Sequence, residues 1–213
     1  NSKVPGIGSG SSLRGGTGAD SFDFNSFGLT SVQLSGQTDN DTFRLTGPTV
    51  ESSLFGGKGE DSFQIRNTLV NSYVFGNSGN DTNDVTADVK KSSLNGGQGD
   101  DIFNLTGTVT DSTLVGGSGA DLLTFRIVVG NTSVQGFGGS TTDTSNDSVV
   151  FQASVNALGI SYAEGDDSLR LSNGATNATI AAAGGNDSIH ADLTLVGSSI
   201  EAGDGPESIS LTS

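Results

Sequence analysis

Apolar residues in this chain fall into short alternating runs that return on a fixed step. Leu54, Val74, Leu94 and Leu114 stand 20 residues apart. Each is followed seven residues on by an aspartate, and then by inward candidates two and four residues beyond it, as in Asp61, Phe63 and Ile65 or Asp101, Phe103 and Leu105. A step of this size marks a stacked array, so the repeat has to be read before any local motif. Leu13 and Leu34 carry the series back with a step of 21, and Ile160, Ile180 and Ile200 restore the step of 20. Between them Val134 and Asp147 form a longer copy, 13 residues from leading apolar residue to acid, for ten copies in all.

Period-two alternation places residues on one face of a strand. Four ladders point inward on this reading: the leading Leu/Val/Ile series, the series of Phe22, Phe43, Phe63, Asn83 and Phe103, the series of Phe24, Leu45, Ile65 and Val85, and the series of Leu29, Leu69, Val89 and Val109. Ser11, Ser52, Ser72, Ser92 and Ser112 also face inward, which thins the core on that side. Neither short strand of a copy can bury its apolar face alone. The expected fold is therefore all-β: a parallel β-solenoid, β-roll-like, of about ten coils with two strands each. Right-handed coiling is the default for parallel crossovers. With strands about 4.8 Å apart, ten coils make a rod of roughly 48 Å. Residues 1–10 read as a Gly/Ser-rich lead-in, 11–213 as one solenoid domain, and 137–146 as an irregular insertion.

Composition fits stacking better than an ordinary globule, with 33 Gly in 213 residues, 32% hydrophobic residues and no Trp, Met or Cys. A disordered tract would not hold Leu, Phe and Asp in register. The net charge of -15 disfavours nucleic acid and an anionic membrane surface as partners and favours divalent cations. Without cysteine there are no disulfides, zinc thiolates or thiol chemistry. No apolar run has the length to span a bilayer, so membrane insertion is not expected. An opening on Asn1 suggests a processed protein or a segment of a longer one.

The candidate chemistry lies where glycine-rich turns close on an acid. Stacking puts Asp20, Asp41, Asp61, Asp81, Asp101, Asp121, Asp147, Asp167 and Asp187 in file. At about 4.8 Å, neighbouring charges repel by roughly 0.9 kcal/mol even in water. A hard dication with six to eight oxygen ligands would offset that, and calcium accepts carbonyls beside carboxylates in irregular geometry. The bland reading is that each Asp hydrogen-bonds its own turn; nine in register favour calcium. No GKS or GKT supports a phosphate site. An enzyme is not expected: the bases are scattered, and His190, the single histidine, reads as a solvated strand residue.

GGTGADSFD, GGKGEDSFQ and GGQGDDIFN resemble the GGxGxDxUx pattern of RTX calcium-binding repeats. The resemblance implies calcium ions in single file between adjacent Gly-Asp turns, secretion, and folding with calcium at the cell surface. This chain departs from the pattern in its 20-residue step, in acids along one edge only, and at Asp39, Asn77, Pro206 and Glu207. The expected function is that of an extracellular calcium-binding structural protein, a segment or subunit of a surface layer, fibril or adhesin. The alternative is a calcium-dependent polysaccharide-binding module or the repeat tail of a larger secreted enzyme or toxin. Tyr73, Phe55 and Phe75 begin the outward aromatic row that a glycan binder would show. Because Leu211, a core-type position, lies near the last residue, head-to-tail or lateral self-association is also expected.

Overall fold

The computed structural model describes residues 8–127, 129–137 and 143–212, without the side chains of 133–137. Residues 1–7 of the expected lead-in, 138–142 of the expected insertion and the side chain of Val134 therefore lie outside the described residues. Among the described residues every element is a strand, and all strand pairings are parallel. The chain is a β-solenoid of about ten turns whose strands stack into a 17-stranded and a 10-stranded sheet.

One coil shows how the sequence builds it. Ser53–Lys58 is a long strand whose inward residues are Leu54 and Gly56, and Ser62–Ile65 runs back with Phe63 and Ile65 inward. A third strand of only two residues, Leu69–Val70, closes the coil and belongs to the larger sheet. The inward Leu29, Leu69, Val89 and Val109 ladder lies on these third strands, which the expected two-strand coil lacks because two residues are too few to display an alternation. Register follows the repeat: Leu54, Val74, Leu94 and Leu114 are direct partners in successive coils.

These residues are sealed from water, Phe43, Phe63, Phe103, Leu54 and Leu94 at 0% exposure. The rings of Phe22, Phe43 and Phe63 stack at 4.7 Å. Asn83 interrupts the column between Phe63 and Phe103, and neither its Oδ1 nor its Nδ2 has a hydrogen-bond partner.

The thin serine side is a hydrogen-bonded column. The amides of Val32, Ser52, Ser72 and Ser92 donate to the hydroxyls of Ser52, Ser72, Ser92 and Ser112 in the next coil, at 3.1–3.2 Å. Each hydroxyl in turn donates to a carbonyl two residues back, Ser72 to Val70 and Ser92 to Lys90 at 2.8 Å. A buried polar group loses little when it is paired in this way, and the bend gains a link between coils.

Both sheets continue past the longer copy. Leu122 pairs with Ser148 and Phe125 with Phe151 in one. In the other, Val129 pairs with Val155, and the register shifts between Gln135 and Phe137.

Candidate functional site

Alternation in the second strand of each coil extends one step further back than the apolar residues show. Asp61, Phe63 and Ile65 are all buried, as are Asp101, Phe103 and Leu105, so the acid opens the inward alternation from the position just before its strand. Opposite it stands the second inward residue of the long strand. A Cβ on Gly56 would overlap Oδ2 of Asp61, and the same holds for Gly36 with Asp41, Gly76 with Asp81 and Gly96 with Asp101. Glycine is needed there because the carboxylate occupies the corner. The acids thus form a column inside the corner of the coil, and the outer edge of the turn lies beyond them.

The structure brings all nine expected residues into this one column. The amide of each donates to Oδ1 of the next: Asp20 to Asp41 at 2.7 Å, Asp41 to Asp61 at 2.8 Å, Asp61 to Asp81 at 2.7 Å and Asp81 to Asp101 at 2.7 Å. The series continues from Asp101 to Asp121, across the longer copy to Asp147, then to Asp167 and Asp187, at 2.8–2.9 Å. Each bond crosses to the neighbouring coil, unlike the alternative in which Asp bonds its own turn.

A second column runs beside the first in the opposite sense. Oδ1 of Asn40, Asn80, Asp100, Asn146 and Asp166 accepts from the amide 20 residues later, at 2.8–2.9 Å. The recurring Asn-Asp and Asp-Asp pairs are its signature. Together the two residues tie each turn to the coil below and the coil above.

Departures from the repeat are absorbed locally. Asp39 and Asn77 adopt φ of 74° and 82° where neighbouring copies use glycine, a left-handed conformation that short polar side chains tolerate best after glycine. Tyr162 takes the inward position that glycine holds in earlier coils; it is 6% exposed, and its hydroxyl donates to the carbonyl of Ser168 at 3.2 Å. Burial, and then the charges of Asp167, Asp147 and Asp187, push its phenol well above the usual range. His190 is not simply solvated: Nε2 lies 2.8 Å from Oδ1 of Asp192, which also accepts from Thr212.

The second oxygen of each column acid has different surroundings. Oδ2 of Asp20, Asp41, Asp61, Asp81, Asp101, Asp121, Asp147, Asp167 and Asp187 is buried without a hydrogen-bond partner. A buried anionic oxygen without a donor is costly, and the carboxyls respond. Burial raises Asp61 to about 6, Asp101, Asp147 and Asp167 to about 7, and Asp81 and Asp121 to about 8, against the lowering effect of the amide bond each accepts. Asp41 and Asp187 are raised for the same reason.

The donor set suits a hard dication in kind, since it is all oxygen and one anionic oxygen per coil is unclaimed. The carbonyl of Gly96 and Oδ2 of Asp81 both border the space that a Cβ on Gly76 would fill, and the pairing recurs with Gly76 and Asp61 and with Gly116 and Asp101. Among the described residues no three acidic or histidine side chains converge on one point. A bound cation would therefore draw most of its ligands from backbone carbonyls. No protein-family model matches the chain, and no curated protein or solved structure matches it.

Proposed function

We propose that this chain is an extracellular calcium-binding structural protein, a segment or subunit of a cell-surface layer, fibril or adhesin, whose solenoid is completed by calcium. The observation that carries the reading is the file of nine buried, unpartnered Oδ2 atoms. The resemblance of GGKGEDSFQ and GGQGDDIFN to RTX repeats supports the same ion. Calcium would supply the positive charge that the column lacks, held by Oδ2 of the aspartates and by carbonyls of the glycine-rich strand ends. The chain's own part is to fix each carboxylate through its Oδ1 bond to the preceding coil, to exclude water from the corner, and to leave the second oxygen unclaimed. A structural role agrees with a column buried from Asp41 to Asp187, which meets a cleft at Asp20, in the first coil.

Titration of the chelated protein with calcium at pH 7.5, followed by calorimetry, thermal melting and electron microscopy, tests this. The expected result is saturable uptake of several ions, a rise in melting temperature and the appearance of filaments or sheets. Unchanged melting and sheet signal after thorough chelation would overturn it.

A second reading has its own support. Burial raises Asp81 and Asp121 to about 8, so protons can discharge the column at neutral pH and leave a metal-independent solenoid. The pH series argued in the Discussion separates the two.

A further inference from the structure

The outward face of the long strands carries a feature with no part in the acid column. Phe55 and Phe75 are register partners whose rings stack at 5.6 Å and 7°, and Tyr73 stacks on Phe75 at 6.2 Å and 9°. Tyr73 is 52% exposed, so this aromatic cluster faces water and not the core.

Next to the cluster a trough of about 490 Å³ runs parallel to the rod axis across three coils. One wall continues the aromatic row through Asn95 and Val115, the register partners of Phe75 in the next two coils. The other wall is Ser78, Gln98 and Ser118. Between them the floor is Asn77, Gly97 and Gly117, register partners of which the last two carry no side chain.

Charge is missing from this face. The chain carries a net -15, yet the outward residues of the long strands from Ser53 to Ser118 include one ionisable charge, Lys58. Amides and hydroxyls stand in its place. Among the described residues the Asn95 amide makes no hydrogen bond. Gln98 accepts from Ser78 through Oε1 at 3.5 Å and keeps its Nε2 donors. The corresponding trough on the smaller sheet differs: it includes Asp84 and Arg126, and Asp84 pairs with Arg66 at 3.0 Å.

We infer that this trough binds a linear, uncharged polysaccharide. A pyranose offers an apolar ring face to an aromatic platform, which Tyr73 and Phe75 provide. Its hydroxyls both donate and accept, as the amides of Asn95 and Gln98 do. A chain laid along the axis meets the same kind of polar group every coil, about 4.8 Å apart, so successive sugars find successive partners. Among the described residues no cation lines the trough to hold phosphate or sulfate polymers, and uronate polymers meet the repulsion of the whole chain. The inference stands apart from the calcium reading, because none of these residues belongs to the acid column.

Affinity electrophoresis tests it, in gels containing hydroxyethylcellulose, galactomannan or mixed-linkage β-glucan, with polygalacturonate as the charged comparator, each run with calcium and with chelator. At least one neutral polymer is expected to retard the protein. The double variant Tyr73→Ala, Phe75→Ala should bind it about tenfold more weakly, equivalent to about 1.4 kcal/mol, and Asn95→Ala should weaken it as well. Gln64→Ala on the opposite sheet should leave retardation unchanged. The inference is overturned if no neutral polymer retards the protein, if polygalacturonate alone does, or if the double variant, with unaltered melting, is retarded as strongly as the parent. A change in sedimentation of the double variant without glycan binding assigns the aromatic cluster to self-association and overturns it too.

Discussion

Asp81 and Asp101 are joined by a bond that uses half of a carboxylate. The Asp81 amide donates to Oδ1 of Asp101 at 2.7 Å, while Oδ2 of Asp101 is buried with no partner. The first oxygen holds two coils together, and the second leaves a charge that something else must neutralise. Repeated from coil to coil, this division of labour ties the solenoid's stability to the charge state of the column.

The sign of the proton dependence follows from the raised carboxyls. In the unfolded chain these aspartates titrate near 3.8, and in the fold Asp61, Asp101 and Asp121 titrate at about 6, 7 and 8. Between those limits the folded state binds more protons, so stability is fully present below about pH 4 as far as this column is concerned and is lost as pH rises to about 8. Asp88, held low by hydrogen bonds from Thr108 and Lys90, acts in the opposite direction, as do Asp192, lowered by its bond to His190, and Asp143, lowered by hydrogen bonds against the raising effect of burial; all three lie outside the column. Melting scans in chelator are expected to show a falling melting temperature from pH 5 to pH 8, with calcium restoring it at the alkaline end. A flat profile in chelator would contradict the burial argument, and a fall that calcium does not reverse would leave the proton as the neutralising species.

Substitutions at Asp101 separate its two oxygens. Asparagine keeps an acceptor for the Asp81 amide and places an uncharged group where Oδ2 stands, beside the carbonyl of Gly116. Asp101→Asn should therefore raise melting temperature at pH 7.5 in chelator and lower the number of calcium ions bound. Asp101→Ala removes the acceptor and leaves a buried N–H unpaired, which costs about 1–3 kcal/mol. Urea denaturation of both variants beside the parent checks the contrast.

The coil was legible because Leu54, Phe63 and Ile65 repeat at a fixed step and alternate within it, and periodicity is what burial imposes on a strand. The acid column was legible as a file but not as a buried one. Asp61 is two residues before Phe63 and lies on the same alternation, yet polarity made it read as turn. Gly56 reads as one more residue of a glycine-rich turn, whereas its missing side chain makes room for a carboxylate. The two-residue strands such as Leu69–Val70 are too short to show a period. The bonds from Asn40 and Asn80 to the next coil depend on three-dimensional register, which no single copy displays.

Crowding at the corner predicts an uneven response to alanine. In Gly96→Ala the new Cβ meets Oδ2 of Asp101 and the carbonyl of Gly116, and overpacking of a fixed corner costs about 1–3 kcal/mol. The Cβ in Gly159→Ala meets nothing within 4 Å, so that variant should melt within a degree or two of the parent. Since the displaced oxygen is the proposed cation ligand, Gly96→Ala should also weaken calcium uptake, read by calorimetry. Equal melting of the two variants would show that the corner is not filled by its carboxylate.

Two buried polar residues offer the opposite test, a gain. Thr49 is 0% exposed and its hydroxyl has no partner, and Asn83 is equally buried with both amide atoms unpaired. Neither lies in the acid column. Thr49→Val replaces the hydroxyl with a methyl of the same shape, and Asn83→Leu extends the apolar column between Phe63 and Phe103. Each removes an unsatisfied group whose burial costs about 1–3 kcal/mol, and each should raise the urea midpoint at an unchanged slope. The gain is expected both with calcium and in chelator, because it comes from the hydrophobic interior. A gain confined to one condition would mean that the interior and the acid column are coupled, contrary to the separate hydrogen-bonding of the two.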